Sequence, residues 1–348
     1  MGSVVSFTSP RVVDVVSEPE VQLEAHQVRL HTLYSGISAG TELTAYRGSN
    51  PYLSKCWDEE QRLFVDGSTS LAYPVNGWGY EEVGEVVETG SEVTTLALGD
   101  RVWGTWGHRS STVQAADHAA ARILDPNADA RLGVFSQIGA IALNVVLDAD
   151  IHVGETVAVF GLGVPGQIVA QLARLNGARV IAVDGVASRR GLAARLGAQT
   201  VLDPIEGDVA ERIRGLTGGR GADVCLEVTG NYRALHEAIR SVAYNSRVCA
   251  AGFLQGEGTG LRLGEEFHHN RVQVISSQIS GVAPALQHRW DRYRLTTTVM
   301  DFAVGGQLKL AELITHTIPH SKADWAFTML DENPGDALQV ILSFEEQP

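Results

Sequence analysis

The chain of 348 residues is poor in cysteine, in positive charge and in long apolar runs. Its three cysteines, Cys56, Cys225 and Cys249, are odd in number and far apart. That pattern speaks against a disulfide framework and against a zinc site built from closely spaced cysteines. Cys225 and Cys249 lie inside apolar runs, where we expect buried strand residues.

The shortage of positive charge argues against nucleic acid as a partner. Lys and Arg number 27 against 41 Asp and Glu, so the formal net charge is −14, and such a surface repels phosphate backbones. No apolar run approaches the length of about 18 residues that a membrane span needs. Residues 1–5 lack the basic and apolar regions of a signal peptide. We therefore expect no membrane partner and a cytoplasmic location.

Two domains are expected, since a domain averages about 150 residues. The first part of the chain, to residue 145 or so, has short apolar runs punctuated by glycine, which is typical of β-structure. Further on, apolar strands alternate with helical segments, a pattern that predicts an α/β domain with a parallel sheet. The predicted strands of this second part are Thr156–Phe160, Arg179–Val183, Ala198–Leu202, Asp223–Val228, Arg247–Ala251 and Val272–Ser277.

The strongest motif is a glycine-rich turn, with Gly161, Gly163 and Gly166 placed between an apolar strand and a helix. This context is the one that a dinucleotide fingerprint requires. The first glycine permits the tight turn, the second lets the backbone approach a pyrophosphate, and the third lets helix and strand pack. Val164 and Pro165 open the helix, where free N–H groups face phosphate and the missing N–H of proline costs nothing.

A carboxylate follows the second predicted strand. Asp184 lies 18 residues after Gly166, where an acid accepts hydrogen bonds from the adenosine ribose and repels a 2′-phosphate. The predicted cofactor is therefore NAD. Arg189 is counted with the cofactor residues, and it and Arg190 are expected to cap the adenine side or lie in solvent. Thr229, at the end of a later strand, is also assigned to the cofactor.

Several segments together resemble the medium-chain dehydrogenase/reductase superfamily. They are Tyr34–Glu42, Gly79–Glu81, Ala97–Val102, the glycine turn, Gly221–Val224 and Ile314–Pro319. The resemblance implies a GroES-like β-rich catalytic domain formed by residues 1–147 and 283–348, and a doubly wound Rossmann domain formed by residues 148–282. The segments Ser35–Glu42 and Gly79–Glu81 are most similar to the subgroup that contains bacteriochlorophyllide a dehydrogenase.

Departures from the zinc-containing members predict that neither zinc site is built and that no metal is bound, with a different metal site formed by histidines as the alternative. Where those enzymes have a cysteine ligand this chain has Ser38 or Ala39, and where they have a histidine it has Tyr80. Their third ligand falls near Gln137. Serine, tyrosine and glutamine are poor zinc ligands compared with thiolate, imidazole and carboxylate. The cysteine-rich structural zinc lobe is also absent.

The resemblance places the reaction centre around the lost zinc. Thr41 aligns with the hydroxyl that relays protons in the superfamily, and Ser38 lies beside it in sequence. Tyr80 is expected to donate to the substrate oxygen, or alternatively to be a packed aromatic. Glu81 is a candidate acid that could instead pair with an arginine. His108 is expected to transfer protons, because imidazole titrates near neutrality, or else to lie on a surface loop.

Substrate contacts are predicted in the aromatic segment Asn50–Asn76, especially at Tyr52 and Trp57, and at Gln137. The predicted function is zinc-independent hydride transfer between NAD and a secondary alcohol or ketone, with a cyclitol, sugar or nucleoside as substrate. An NADPH-dependent quinone or enoyl reductase and a nonenzymatic nucleotide-binding protein are the alternatives. A homodimer or homotetramer is expected, with Arg271–Gln278 as the candidate edge strand.

Overall fold

The computed structural model describes residues 1–344. Its longer strands and helices follow in chain order. The strands are β1 (Gly2–Ser9), β2 (Val12–Glu18), β3 (Gln27–Ile37), β4 (Cys56–Asp58), β5 (Leu63–Val65), β6 (Val75–Asn76), β7 (Glu82–Thr89), β8 (Arg101–Gly104), β9 (Ser111–Ala115), β10 (Thr156–Phe160), β11 (Arg179–Val183), β12 (Thr200–Leu202), β13 (Ala222–Glu227), β14 (Val242–Ala250), β15 (Gln273–Ser276), β16 (Ile314–Pro319) and β17 (Gln339–Ser343). The α-helices are α1 (Ala39–Arg47), α2 (Ala116–Ala120), α3 (Phe135–Asp148), α4 (Val164–Leu175), α5 (Ala187–Arg195), α6 (Val209–Leu216), α7 (Tyr232–Ser241), α8 (Arg292–Val304) and α9 (Ala323–Glu332).

The chain divides into two compact units. Residues 1–137 and the segment from Ile314 onward form the first, and Ile138–Leu313 form the second. The resemblance predicts boundaries at 147/148 and 282/283, whereas the observed ones fall at 137/138 and 313/314. Most of α3, together with α8, belongs to the second unit. These two helices pack closely, because a Cβ atom on Gly139 would lie 2.3 Å from Val299 Cγ1.

The first unit is rich in β-strands, as its glycine-punctuated sequence predicts. Its strand pairs are antiparallel apart from β16 and β17, which are parallel. Its main sheet has the order β16-β17-β3-β7-β8, with β9 also paired to β3, and a smaller sheet has the order β2-β1-β6. An aromatic cluster lies in its core, where the ring centroids of Phe7 and Phe327 are 4.9 Å apart and Tyr46 stacks on Phe327 at 5.8 Å. Strand β17, near the C-terminus, closes the main sheet between β16 and β3.

The second unit contains the parallel sheet that alternating strands and helices predict. Its strand order is β12-β11-β10-β13-β14-β15, which in sequence terms is the 3-2-1-4-5-6 order of a dinucleotide-binding sheet. The bounds of β10 and β11 are confirmed to the residue. Strand β14 begins five residues before its predicted start, since Val242 already pairs with Ala222 of β13. Cys225 and Cys249 are confirmed as buried strand residues.

One helical stretch meets the length and composition of a membrane span. Residues 130–148, a short 3-10 turn continuing into α3, have a mean hydropathy of 1.6, although the sequence led us to expect no such segment. In the structure 78% of this stretch is buried inside the protein. That is the environment of a core helix.

Candidate active site

Three of the predicted catalytic residues form one hydrogen-bonded cluster in the first unit. Ser38 is the residue between β3 and α1, and its Oγ lies 2.5 Å from the Tyr80 hydroxyl oxygen. The Tyr80 hydroxyl donates to Thr41 Oγ1 at 3.2 Å. Because a tyrosine hydroxyl has one proton, Tyr80 accepts from Ser38. The cluster is therefore a directed chain from Ser38 through Tyr80 to Thr41.

Tyr80 is a neutral hydrogen-bonding phenol in this environment. Burial is the largest cause that raises the pKa of its hydroxyl, and the nearby charge of Glu81 raises it further. The hydrogen bonds to Ser38 and Thr41 act in the opposite direction without offsetting this shift. Tyr80 can pass a proton along the chain of hydroxyls, but a stable phenolate base is disfavoured here.

Glu81 has no cation partner in the part of the chain that the structure describes, so the predicted alternative of an arginine pair is wrong. Its carboxyl is fully buried, and neither oxygen completes a hydrogen bond of acceptable geometry, although Ser38 and Gln339 lie within interaction range. The group occupies space left by Gly36, where a Cβ atom would lie 2.5 Å from Glu81 Oε2. Burial, followed by the charges of Glu42 and Glu82, raises the pKa of this carboxyl well above its ordinary value.

His108 lies in the core of the first unit, so the alternative of a surface-loop histidine is wrong. Its side chain is fully buried between two partners, with Nε2 2.7 Å from Glu42 Oε2 and Nδ1 2.6 Å from Ser35 Oγ. Ser35 donates its single proton to Glu82 Oε1 at 3.0 Å. Nδ1 must therefore donate to Ser35, and Nε2 donates to a carboxylate. With these donor roles both ring nitrogens carry protons, and we therefore interpret His108 as an imidazolium.

The charges around His108 agree with this assignment. Burial tends to lower the pKa of the imidazole, but Glu42 and Glu82 together raise it above its ordinary value. Glu42 also accepts the backbone N–H of Ser38 at 2.9 Å. The ion pair thus fixes the turn that presents the Ser38 hydroxyl. Ser35 and Glu82 were missed from the sequence, where the only signal was a second acid next to Glu81 at the start of an apolar strand.

The predicted aromatic substrate residues Tyr52 and Trp57 both pack against Phe64 of the β4–β5 hairpin. The Phe64 ring lies 5.5 Å from that of Tyr52 and 5.1 Å from that of Trp57. Next to the hairpin, Asn50 donates to Thr44 Oγ1 at 2.7 Å and accepts from the Tyr52 backbone N–H. The aromatic set is thereby tied to helix α1, which also carries Thr41. Gln137 is buried at the start of α3 and is not part of this set.

The glycine turn of the second unit has the geometry of a dinucleotide cradle. Gly161 has a φ of +94°, and a Cβ atom on Gly166 would lie 1.9 Å from the Gly161 carbonyl oxygen. A Cβ atom on Gly163 would meet only Pro165 Cδ, at 3.9 Å. The space above Gly163 is therefore open, and α4 begins at Val164 with its N–H groups at this turn.

Asp184 closes the other side of the turn. Its carboxylate accepts the backbone N–H of Leu162 and that of Val186, each at 2.7 Å. Arg190 is not a solvent residue, because it is largely buried and forms a 2.6 Å ion pair with Asp203; the adenine cap stays a prediction. The Arg189 carbonyl accepts Gln167 Nε2 at 2.8 Å, which links α5 to α4.

Thr229 lies directly against the turn and is held there by Glu227, a residue that sequence reasoning missed. Thr229 Cγ2 is 2.5 Å from where a Gly161 Cβ would be. Glu227 Oε1 accepts both the Thr229 hydroxyl and the N–H of Gly230. The signal was available, since Glu227 directly follows the apolar run from residue 224 to 226 at the end of β13. Burial is the main cause that raises the pKa of this carboxyl.

Comparisons with known proteins agree with this arrangement. A family model described as "Zinc-binding dehydrogenase" matches residues 165–293. The chain is 30% identical over 345 residues to D-guloside 3-dehydrogenase of Escherichia coli (strain K12), covering 97% of this chain and 98% of that protein. It is 25% identical to sorbitol dehydrogenase of Halalkalibacterium halodurans, covering 94% and 95% of the two chains.

The chain belongs to the zinc-binding dehydrogenase family of the medium-chain dehydrogenase/reductase superfamily. The predicted fold class is confirmed by solved structures such as 2R,3R-butanediol dehydrogenase from Bacillus subtilis, with a TM-score of 0.78 at 21% identity and 99% coverage of both chains. As a family member, the protein is an alcohol oxidoreductase with a nicotinamide cofactor, which the turn at Gly161–Gly166 fits. The narrower likeness to the bacteriochlorophyllide subgroup stays a prediction.

The zinc that the family name implies does not fit the residues at the matching positions. Ser38 and Tyr80 are hydrogen-bonded to each other, and neither they nor Gln137 offers a thiolate, imidazole or carboxylate. Residues 1–344 contain one other group of potential metal ligands. Its three ligand atoms lie within 4.8 Å of one another and belong to His236, Glu265 and Glu266. That group lies in the second unit, in a cavity of about 480 Å³ that is also lined by arginines.

Replacement of Gly163 by valine tests the cofactor cradle. A side chain here enters open space rather than protein, so we expect an unchanged melting temperature. Because it obstructs the approach of a pyrophosphate, NADH affinity should fall at least about tenfold, or about 1.4 kcal/mol. Fluorescence titration with NADH measures this. Gly191→Ala on the exposed side of α5, where a Cβ meets only Arg195 at 3.9 Å, is the matched control. Unchanged affinity in Gly163→Val contradicts the assignment.

Replacement of His108 by alanine tests the buried ion pair. It leaves Glu42, Glu82 and Ser35 without their shared partner, and breaking a buried pair costs about 3–5 kcal/mol. We expect a loss of that size in the free energy of unfolding, measured by urea denaturation at neutral pH. His26→Ala, at a side chain that is 61% exposed, should change stability by less than about 0.5 kcal/mol. Equal stability of the two variants would refute the imidazolium assignment.

Proposed function

We propose that this protein oxidises a secondary alcohol of a polyhydroxylated ring to the ketone, and catalyses the reverse, with NAD and without zinc. The observation that carries the proposal is the directed chain of hydroxyls from Ser38 through Tyr80 to Thr41. Tyr80 stands where zinc enzymes of the family hold a histidine ligand, and Ser38 stands at or next to the position of their cysteine ligand. When bound, the nicotinamide takes up or supplies the hydride.

The hydroxyl chain supplies what a metal otherwise would. Zinc lowers the pKa of a bound alcohol and stabilises developing negative charge on its oxygen. Hydrogen-bond donors that are already fixed in place can stabilise the same charge. Tyr80 and Thr41 are partly exposed, while Glu42 and His108 hold the Ser38 turn from within the core. Tyr80 and Thr41 are therefore the groups that we assign to the substrate oxygen.

A sugar, glycoside or cyclitol substrate is supported by two observations. The relative with 30% identity over nearly the whole chain is a D-guloside 3-dehydrogenase. In this chain, Tyr52, Trp57 and Phe64 form an aromatic surface next to helix α1, and aromatic faces pack well against the apolar faces of sugar rings. We place the substrate ring on this surface. Gln137 stays a predicted substrate residue.

NAD is favoured over NADP by the residues around Asp184. The carboxylate stands at the glycine turn, where it can accept ribose hydroxyls and repels a 2′-phosphate. Arg190, which could otherwise attract that phosphate, is neutralised by Asp203.

A cytoplasmic location and a homodimer or homotetramer complete the proposal. Strand β15, the core of the predicted contact Arg271–Gln278, is at the edge of its sheet.

Turnover without metal is the first test. Purified protein should reduce NAD with at least one of a panel of methyl glycosides, inositols and sorbitol, and should contain far less than one zinc per chain by mass spectrometry. Dialysis against a chelator should leave the rate unchanged. A stoichiometric zinc whose removal abolishes activity would overturn the metal-free mechanism. Faster reduction of quinones with NADPH, or NADH binding without any turnover, would favour the alternative functions instead.

Replacement of Asp184 by asparagine tests the cofactor preference. The variant keeps the shape of the side chain but removes its charge. Because a hydrogen bond to a charged group contributes about 1.5–3 kcal/mol, we expect the ratio of kcat/KM for NAD to that for NADP to fall at least about tenfold. Asp301→Asn on α8, at an exposed position, should keep the wild-type ratio. An unchanged ratio in Asp184→Asn would contradict this role.

A further inference from the structure

We propose that Glu81 is the proton store of the reaction, exchanging a proton with the substrate oxygen through the hydroxyls of Ser38, Tyr80 and Thr41. The inference deepens the proposed function and rests on it. It assigns a task to the carboxyl beside the hydroxyl cluster, whose oxygens complete no hydrogen bond among residues 1–344. The sequence offered an ion pair as the alternative for this residue, and the described residues form none with it.

Glu81, Ser38, Tyr80 and Thr41 are arranged in order from the core toward solvent. Exposure increases in this order, from the fully buried Glu81, to Ser38 at 8%, to the partly exposed Tyr80 and Thr41. The Ser38 oxygen gives its proton to Tyr80 and, like any hydroxyl, has further lone pairs to accept one. Glu81 lies within interaction range of Ser38. The hydroxyls thus lie between a buried acid and an accessible oxygen, and a hydrogen bond formed from Glu81 to Ser38 would complete the route.

The charged groups around Glu81 are acidic. The ionisable groups that face it are Glu42 on α1, Glu82 on β7 and Tyr80, and Gln339 on β17 adds only an amide. None of these supplies a positive charge, since His108 is already bound to Glu42 and Ser35. Ser38 and Gln339 lower the pKa of Glu81, but burial and the two acids outweigh them, and a buried carboxyl without a cation among the described residues is favoured in its neutral form. The raised pKa of Glu81 agrees with this geometry.

Atoms and charges balance along this route. In ketone reduction the carbonyl carbon gains a hydride, and the carbonyl oxygen gains the proton of the nearest hydroxyl. Each hydroxyl takes the proton of the one behind it, and Glu81 ends as a carboxylate. Alcohol oxidation runs these transfers in reverse and ends with Glu81 protonated. Between turnovers the same hydroxyls exchange that proton with water.

This proton balance predicts how the rates of reduction and oxidation change with pH. Protonated Glu81 is needed for ketone reduction, so the reduction rate should fall as pH rises through the pKa of Glu81. Ionised Glu81 is needed for oxidation, so the oxidation rate should rise over the same range. Stability should change as well. Because the folded pKa is raised above the unfolded value, the folded protein loses stability as pH rises between the two pKa values.

Glu81→Gln tests the inference, because it keeps the size of the side chain and removes the transferable proton. General acid–base catalysis contributes about 100-fold to 10,000-fold, so kcat with NAD and the most active methyl glycoside of the panel should fall at least about 100-fold. The remaining rate should lose its pH dependence. Affinity for NADH should not change. Glu92→Gln, an exposed acid on the turn that follows β7, should behave as wild type.

Infrared difference spectroscopy supplies a readout that needs no substrate. The wild type at neutral pH should show the C=O stretch of a protonated carboxyl that disappears at high pH and is missing in Glu81→Gln. Ser38→Ala should retain this band yet lose turnover, because it breaks the route and not the acid. Melting temperature measured at high pH should be higher for Glu81→Gln than for wild type, since a buried charge is removed.

The outcomes separate the two claims. A missing band in wild type, or a kcat of Glu81→Gln within threefold of wild type, overturns the proton store while leaving the dehydrogenase function intact. Failure of wild type on every alcohol of the panel contradicts the proposed function, and the infrared band then decides alone whether Glu81 holds a proton. A band that keeps its full wild-type intensity in Glu81→Gln belongs to other carboxyls and also overturns the proposal.

Discussion

The buried ion pair between His108 and Glu42 is the interaction on which the candidate site depends. It places a positive charge in a core that contains three buried acids, and through Glu42 it fixes the backbone N–H of Ser38. Without that charge, Glu42 and Glu82 would have to be neutralised or exposed. With it, the turn before α1 holds the Ser38 hydroxyl against Tyr80. The pair therefore links the stability of the first unit to the geometry of the hydroxyls.

Glu81 is buried in the same core but, unlike Glu42, has no cation partner among the described residues. Its neighbours Glu42 and Glu82 share the imidazolium and its hydrogen-bonded serine, while Glu81 is left with the space above Gly36. An acid in such a place costs stability when it ionises, and a group of that kind is a common feature of catalytic sites. If hydroxyls act here in place of a metal, as we propose, the site still has to move a proton. The unpaired carboxyl is well placed to hold it.

The sequence predicts the second unit far better than the first, for physical reasons. Strands β10 and β11 and the turn at Gly161 follow local rules of apolar runs and backbone approach, so their bounds agree with the structure. The contacts of His108 depend on residues 66 and 73 positions away in the chain, which no local pattern reveals. The same holds for Arg190, whose partner Asp203 is on another element. Thr41, Ser38 and Tyr80 were brought together correctly because the family resemblance fixed their common location.

The central claim is that side-chain hydroxyls, and not a cation, contact the reacting oxygen. A crystal structure of the complex with NAD and a bound alcohol, with anomalous data collected at the zinc edge, tests it most directly. If hydroxyls activate the substrate, the alcohol oxygen will lie within hydrogen-bonding distance of the Tyr80 or Thr41 hydroxyl, with no anomalous peak beside it. A metal peak bonded to that oxygen would show instead that a cation activates the substrate.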